Sequence, residues 1–398
     1  MRRAALVAPV RTPVGKFLGS LKDIPAERLA EAVIRETVKR AGVDPALIED
    51  VVFAQSYANS EAPCIGRWAA LAADLPIEVP GLQIDRRCGG GLQAIATAAM
   101  MVQSGACDVV LAGGAESMSN IEYYTTAMRG GARAGNAVLY DRLERGRERS
   151  QPEERFGAIS GMIETAENLA REHRISREAG DAFAVESHAR AVAAQKAGRF
   201  DAEIVPLSIK QRRGDPIVVA ADEGVRADAT LASLSALKPL MKDGVVTAGN
   251  ASQQNDAAAA VLVVAEDRLD DLGLRPMGFF VGWAASGCHP ATMGIGPVPA
   301  VAKLFRRTGL GWGDIGLVEL NEAFAHQALA VLKGWDWDDR AILNVNGGGI
   351  SLGHPIGATG VRLCVSLLHE MQRREVRYGL ETMCVGGGQG VAAVFERA

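Results

Sequence analysis

Twice along the chain a short apolar run ends in a cluster of glycines that opens a second, longer apolar stretch. The first cluster is Gly89-Gly90-Gly91, directly after Cys88 and ahead of an Ala-rich stretch over residues 92–102. The second is the segment GHPIGATG from Gly353 to Gly360, ahead of LCVSLLHEM. Each stretch is followed by another apolar run that again stops at glycines: residues 108–112 before Gly113-Gly114, and residues 380–385 before Gly386-Gly387-Gly388. Strand, glycine turn and helix in this order is the repeating unit of an α/β fold, because the turn needs residues without a Cβ. Its repetition predicts a duplicated α/β unit with both Gly-rich helix starts at one interface.

The rest of the chain agrees with helices packed on a sheet. Residues 5–7, 50–54 and 109–112 read as short buried strands, and residues 26–41 as an amphipathic helix that stops near Gly42. The apolar run at the N-terminus is broken by Pro9 and Arg11, which predicts a first strand and then a turn at Thr12-Pro13. From about Ser119 to Lys242 the chain is more charged and less regular. A long helix is expected there over residues 176–197, with Ser176 at its start and Gly198 past its end. This stretch reads as an insertion into the first α/β unit, whose pattern resumes at Thr247.

Bulk properties exclude several classes. A chain of 398 residues suits two or three domains. A net charge of −4 gives no basic field for nucleic acid, and the arginines of residues 142–155 alternate with Glu and Asp as on a solvated face. The longest apolar run, residues 257–265, is far too short to span a membrane. Six scattered cysteines without a CxxC pair build neither a disulfide framework nor a zinc site. No metal, nucleic-acid or membrane partner is expected, and a reducing, cytoplasmic location is.

Three residues stand where glycine turns would expose them. Cys88 follows Arg86-Arg87 at a helix start, where the positive end of the helix dipole favours thiolate. Free cysteines are more often plain packing, and only the glycine context raises Cys88 above that. His354 lies in the second glycine cluster and has the chemistry of a base toward a thiol. Cys384 ends a strand before Gly386; as a second thiol it would serve as an acid/base, and its local context suits a buried strand end equally well. Asn321 and His326 lie in ELNEAFAHQA, where Asn321 at a strand end is placed to hold a water or a carbonyl oxygen. Cys288 and His289 are adjacent, so in a strand they point to opposite faces and make a poor pair. Cys64, Cys107 and Cys364 read as structural.

Taken together and in order, the motifs RTPVGKFLGSLKD, CGGGLQAIATAA, GGAESMS, TAENLA, DAFAVESHARA, TAGNAS, MGIGPVPA, NEAFAHQA, GHPIGATG and CVGGGQG resemble the thiolase family over nearly the full length. The resemblance implies an α/β fold of two βαβαβαββ cores in a five-layer α-β-α-β-α sandwich with an inserted loop domain. It implies an N-terminal core over residues 1–118, the insert over 119–248, the end of that core over 249–272 and a C-terminal core over 273–398. It implies an acyl-CoA C-acyltransferase of fatty acid metabolism, which joins acetyl-CoA to an acyl-CoA or cleaves a 3-ketoacyl-CoA with coenzyme A. By position Cys88 matches the acylated nucleophile, His354 its base, and Cys384 the acid/base at the α-carbon. Asn321 matches the holder of a catalytic water, and the N–H groups of Cys88 and Gly386 match an oxyanion hole. Ser252, Ala248, Met162, Met293 and Arg226 match substrate contacts, Ser252 near the pantetheine, Met293 in the acyl pocket and Arg226 near the nucleotide. No resident cofactor is implied, since coenzyme A is substrate and product. A homo-oligomer, dimeric or a dimer of dimers (a homotetramer), is implied.

Four departures from the family pattern bear on specificity rather than on this catalytic set. They are Gly90 in place of Ser, Gln253-Gln254 after TAGNAS, Gly161 where short-chain members have a histidine, and Cys288-His289 in place of Val-Asp. Two alternatives stand beside the enzyme reading: a catalytically silent acyl-CoA-binding protein, and a ketoacyl synthase, against which Cys384 argues.

Overall fold

The computed structural model describes residues 2–398. Nine strands form one mixed sheet: β1 (Ala4–Arg11), β2 (Asp50–Ala54), β3 (Leu82–Ile84), β4 (Val109–Ser117), β5 (Asn255–Ala265), β6 (Gly278–Gly287), β7 (Ile315–Leu320), β8 (Tyr378–Val385) and β9 (Gln389–Arg397). Their order is β7-β8-β9-β6-β1-β5-β4-β2-β3, and a short tenth strand, Gly15–Lys16, pairs with β5. The main helices are α1 (Ala26–Ala41), α2 (Ile65–Ala72), α3 (Gly90–Gln103), α4 (Met162–Glu172), α5 (Arg177–Lys196), α6 (Pro297–Thr308), α7 (Ala325–Trp335) and α8 (Thr359–Arg374).

The sheet is one pattern used twice. In the first half β3, β2 and β4 run parallel, and β5 and β1 continue antiparallel. In the second, β7 and β8 run parallel and β9 and β6 continue antiparallel, with a parallel bridge from Val318 to Leu343 in place of a third parallel strand. The halves join where β1 pairs with β6, Ala4 opposite Phe280. The duplication expected from the glycine clusters is the architecture.

Three apolar cores set the layers. Leu29, Val33 and Ile34 of α1 pack on Val51, Phe53 and Leu262 of the first half. Val301, Leu304 and Val331 of α6 and α7 pack on Leu320, Leu380 and Val394 of the second. Between the halves lie α3 and α8: Leu92, Ile95, Val361 and Val365 meet Val52 and Val261 on one side and Met383, Val391 and Phe395 on the other. Helix, sheet, helix pair, sheet, helix gives five layers. Both faces of β5 are covered, so Val261 and Val263 face one core and Leu262 and Val264 another. That double burial is why the strand reads as an unbroken apolar run.

The glycine clusters earn their place where α3 meets α8. A Cβ on Gly91 would lie 2.7 Å from the Val361 backbone nitrogen, and one on Gly360 would overlap the Leu92 nitrogen. The two helix starts touch backbone to backbone.

Helix ends follow the sequence. Gly42 closes α1 in the left-handed conformation at φ 67°, and Ser176 Oγ accepts the Ala179 N–H at 3.2 Å to start α5. Two expectations change. The strand expected to stop at Gly113-Gly114 runs through both to Ser117. These glycines make room, Gly113 for the Phe53 ring and Gly114 for the Gly357 carbonyl. Arg11 does not break β1 but ends it fully buried, paired with Glu203 at 2.7 Å and Asp222 at 2.7 Å. A buried arginine is tolerable because both carboxylates are buried with it. Both partners belong to the stretch between β4 and β5, which adds no strand to the main sheet.

Gly360→Ala places a methyl group against backbone that cannot move independently. It is expected to cost about 3 kcal/mol or more, read as a lowered Tm or as loss of soluble protein; an unchanged Tm would mean the helices do not meet as described.

Candidate active site

Cys88 sits on a strained turn. Arg87 before it has φ 48°, a conformation that costs a non-glycine residue on the order of 1–3 kcal/mol. Two contacts hold it: the Arg87 N–H donates to Asp85 Oδ1 at 2.6 Å, and its carbonyl accepts from Ser56 Oγ at 3.0 Å. From this turn Cys88 lines a cavity of about 560 Å³.

That cavity gathers most of the expected residues. Cys88, His354, Met162, Met293, Arg226, Ala248 and Ser252 all line it. So do Gly161 and the Gln253-Gln254 pair, two of the departures noted above. The remaining expected residues stand just behind the wall. The Gly386 N–H and the N–H of Cys88 itself donate toward the Cys88 sulfur. Cys384 is fully buried and packs with Met293, Ala323 and Phe324. Asn321 Nδ2 lies 3.5 Å from His354 Nε2, and its Oδ1 is buried without a protein partner. His326 is elsewhere: its ring packs over Gly180 and its Nε2 lies 3.2 Å from the Ser176 carbonyl. Cys364 is buried in the central core, whereas Cys64 is exposed at the start of α2 and is not core filling.

Burial drives Cys88, Cys384 and His354 toward their neutral forms. It pushes the Cys88 thiol up, against the two N–H donors and the charges of Arg87 and Arg147. The helix start thus fails to supply a standing thiolate, contrary to the sequence expectation, because desolvation outweighs it. Burial raises Cys384 much further, with the nearby Cys88 and Cys288 adding to it. It lowers His354 to about 3, helped by Arg362 and Arg147, so the ring stays neutral at ordinary pH.

The His354 tautomer follows from Thr359. Thr359 Oγ1 donates its only proton to the Pro355 carbonyl at 2.8 Å, so it accepts from His354 Nδ1 at 2.7 Å. Nε2 therefore carries the lone pair, on the side of Asn321. The His354 N–H also donates to Asn255 Oδ1 at 2.9 Å, whose Nδ2 donates to the Gly15 carbonyl at 2.9 Å.

Glu116 ties the two halves of the site together. Its buried carboxylate accepts the N–H groups of Ser56 at 3.1 Å and Tyr57 at 3.3 Å, and that of Gly357 at 3.0 Å. Ser56 belongs to the loop that holds Arg87, and Gly357 to the loop that carries His354. Burial raises the Glu116 carboxyl to about 7, while the three N–H donors oppose the shift. Sequence reading passed over Glu116 and Thr359, although both lie inside motifs that were singled out, GGAESMS and GHPIGATG.

Comparison with known proteins follows this geometry. Residues 4–267 match the family described as thiolase, N-terminal domain, and residues 274–397 match thiolase, C-terminal domain. The acetyl-CoA acetyltransferase of Chromobacterium violaceum is 45% identical, with 99% of each chain covered. The beta-ketothiolase BktB of Cupriavidus necator is also 45% identical, over 100% of this chain and 99% of that protein. The crystal structure of the Bacillus anthracis acetyl-CoA acetyltransferase superposes with a TM-score of 0.96 at 43% identity, covering 100% of this chain and 99% of that one.

Two predictions come from the hydrogen bonds. Thr359→Val leaves the His354 Nδ1–H without an acceptor, at about 1–3 kcal/mol. Acylation of Cys88 by acetyl-CoA in stopped flow should slow about tenfold or more, and an unchanged rate would remove Thr359 from the site. Glu116 is protonated below about pH 7 and then holds its three donors less well. The rate should fall as pH drops through 7, a limb that neutral His354 cannot produce. Glu116→Gln should be slower and lack that limb. Because the folded carboxyl titrates above its ordinary value, the wild type should also lose stability as pH rises from about 4.5 to 7, and the variant should not.

Proposed function

The chain belongs to the thiolase family, and on that premise we propose how its site works. The protein is an acyl-CoA C-acyltransferase: it forms or cleaves the carbon–carbon bond of 3-ketoacyl-CoA thioesters. The observation that carries the mechanism is one cavity onto which Cys88 and His354 open, with Cys384 directly behind its wall.

The cycle starts with a neutral thiol beside a neutral imidazole. His354 Nε2 takes the Cys88 proton as the sulfur attacks the thioester carbonyl. The tetrahedral oxyanion is held by the N–H groups of Cys88 and Gly386. The acyl group passes to Cys88, and coenzyme A leaves with the Cys384 proton. Cys384 holds that proton tightly until a charged sulfur needs it, and is then a strong base in its buried setting. As thiolate it removes the α-proton of acetyl-CoA. The enolate oxygen is held by His354 and by a water on Asn321, whose Oδ1 otherwise has no partner. The enolate carbon attacks the acyl-Cys88 thioester, and Cys88 regains its proton from His354. Thiolysis is the same cycle reversed.

The remaining assignments belong to the same proposal. Ser252, Ala248 and Met162 line the pantetheine arm, Met293 the acyl group, and Arg226 faces the phosphates of coenzyme A. No resident cofactor takes part. Among the described residues no helix is long and apolar enough to cross a membrane. We place the enzyme in the cytoplasm, in fatty acid metabolism, as a dimer or a dimer of dimers.

Two variants separate the sulfurs. After incubation with acetyl-CoA, intact mass should show one acetyl group on the wild type and none on Cys88→Ala. Cys384→Ala should still acylate yet lose Claisen condensation and thiolysis by a factor of at least about a thousand, on the order of 4 kcal/mol. Normal condensation by Cys384→Ala would overturn its role, and a wild type that never acylates would make the chain an acyl-CoA-binding protein.

A further inference from the structure

Two cations line the catalytic cavity, Arg226 and Arg147, and they act on different groups. The charge of Arg226 acts on His188, to whose Nδ1 its own backbone N–H donates at 3.2 Å. The charge of Arg147 acts on Cys88 and His354, where that of Arg226 is not among the influences. Packing agrees. Arg147 lies on the short helix Arg142–Glu148, which covers the Cys88 turn: a Cβ on Gly146 would lie 3.1 Å from the Tyr57 ring and 3.6 Å from Arg87 Nη1. Gly161 is its neighbour across the cavity wall, where a Cβ would stand 3.8 Å from the Arg147 Cβ, at ordinary contact distance.

A cation at this end has no partner in coenzyme A. The phosphates of coenzyme A lie at its nucleotide end, and the pantetheine arm that reaches the thioester is neutral. Any substrate group that pairs with Arg147 therefore belongs to the acyl half. Within the protein its guanidinium makes one side-chain hydrogen bond among the described residues, Nη1 to Glu144 Oε1 at 2.5 Å. Glu144 is 54% exposed in its side chain, so this pair is weak and leaves the other donors to the cavity. Glu144 lines the same wall, which is otherwise largely apolar there, with Met118, Met162, Met293 and Ile356. A plain alkyl chain filling that space would bury free N–H donors against methylene groups, which is costly. A carboxylate at the chain end would take them in a bidentate pair.

We propose that Arg147 binds a terminal carboxylate on the acyl chain, and that the preferred substrates are 3-oxo-dicarboxylyl-CoA thioesters, cleaved to acetyl-CoA and a carboxyacyl-CoA. This rests on the thiolase activity assigned above and adds the substrate class. Arg147 is a specificity residue of the acyl pocket, and the site is selective because its polar donors are wasted on an uncharged chain.

The test is thiolysis by the full-length enzyme of two substrates of equal length, 3-oxohexanoyl-CoA and its 6-carboxylate analogue 3-oxohexanedioyl-CoA, with the longer 3-oxooctanedioyl-CoA beside them. For the wild type, kcat/KM on the better diacid should exceed that on the neutral substrate at least tenfold. In Arg147→Gln that ratio should fall at least thirtyfold, mainly through KM, and Arg147→Lys should restore part of it. Intact-mass acylation by acetyl-CoA reports that each variant is folded and competent. Cleavage of the neutral substrate with no preference for either diacid overturns the proposal and leaves the thiolase reading intact. Equal losses on both substrates in Arg147→Gln also overturn it, and make Arg147 a charge that serves Cys88. Failure on all three substrates overturns both readings.

Discussion

The site depends on a contact between two backbones. Gly91 and Gly360 let α3 and α8 approach with no side chain between them. Cys88 stands three residues before Gly91, and His354 six before Gly360, so the proposed nucleophile and base come from opposite halves of the duplication. A methyl group at either glycine would press on the facing backbone and push the two helix starts apart, and a misplacement of about 1 Å costs a reacting pair about a hundredfold. The same contact explains why α8 is buried almost all round. Val361, Leu363, Cys364, Val365 and Leu367 are all in the central core, although the helix lies between two sheets rather than beneath one.

Closeness brings burial, and burial decides the chemistry. Cys384 is fully buried and His354 nearly so, while Cys88 is half-buried at the cavity wall, and desolvation favours the neutral form of each. A neutral thiol is a poor nucleophile, and here that is consistent with the geometry rather than a defect. Proton transfer from Cys88 to His354 needs no ion to be stored between turnovers, and the Gly386 N–H already points at the sulfur where charge appears. Glu116 is the counterexample. It is fully buried, yet three backbone N–H groups converge on it and hold its titration near neutrality. Those donors come from both halves, so its charge is spent on alignment rather than on reaction.

Much of this was legible in the sequence, for a physical reason. Gly89–Gly91 and Gly353–Gly360 are readable because a position that excludes a Cβ leaves one residue type, and the helix ends at Gly42 and Ser176 are readable because capping is local. Cys88 and His354 stand out because they share those turns. What stayed hidden depends on pairs distant in sequence. Arg11 reads as a strand-breaking charge until Glu203 and Asp222 are beside it, 192 and 211 residues away. Glu116 needs Gly357, 241 residues on, before its carboxylate has a purpose. Cys384 is the middle case: its neighbourhood is that of a strand-end core residue, and only resemblance to the family marks it as more.

The division of labour between fold and insert follows from the same geometry. Cys88, His354, Cys384 and Gly386 all come from the duplicated halves, whose backbone contacts leave little freedom. Much of the rest of the cavity wall comes from the stretch between β4 and β5, which supplies Glu144, Arg147, Gly161, Met162, Arg226 and Met241. That stretch adds nothing to the main sheet, so its side chains can change without disturbing the register of β1 to β9. Gly161 and Arg147 illustrate the freedom, because both line the cavity from this stretch and neither holds the sheet together. Reaction type is therefore fixed by residues the fold cannot spare, and choice of acyl chain by residues it can.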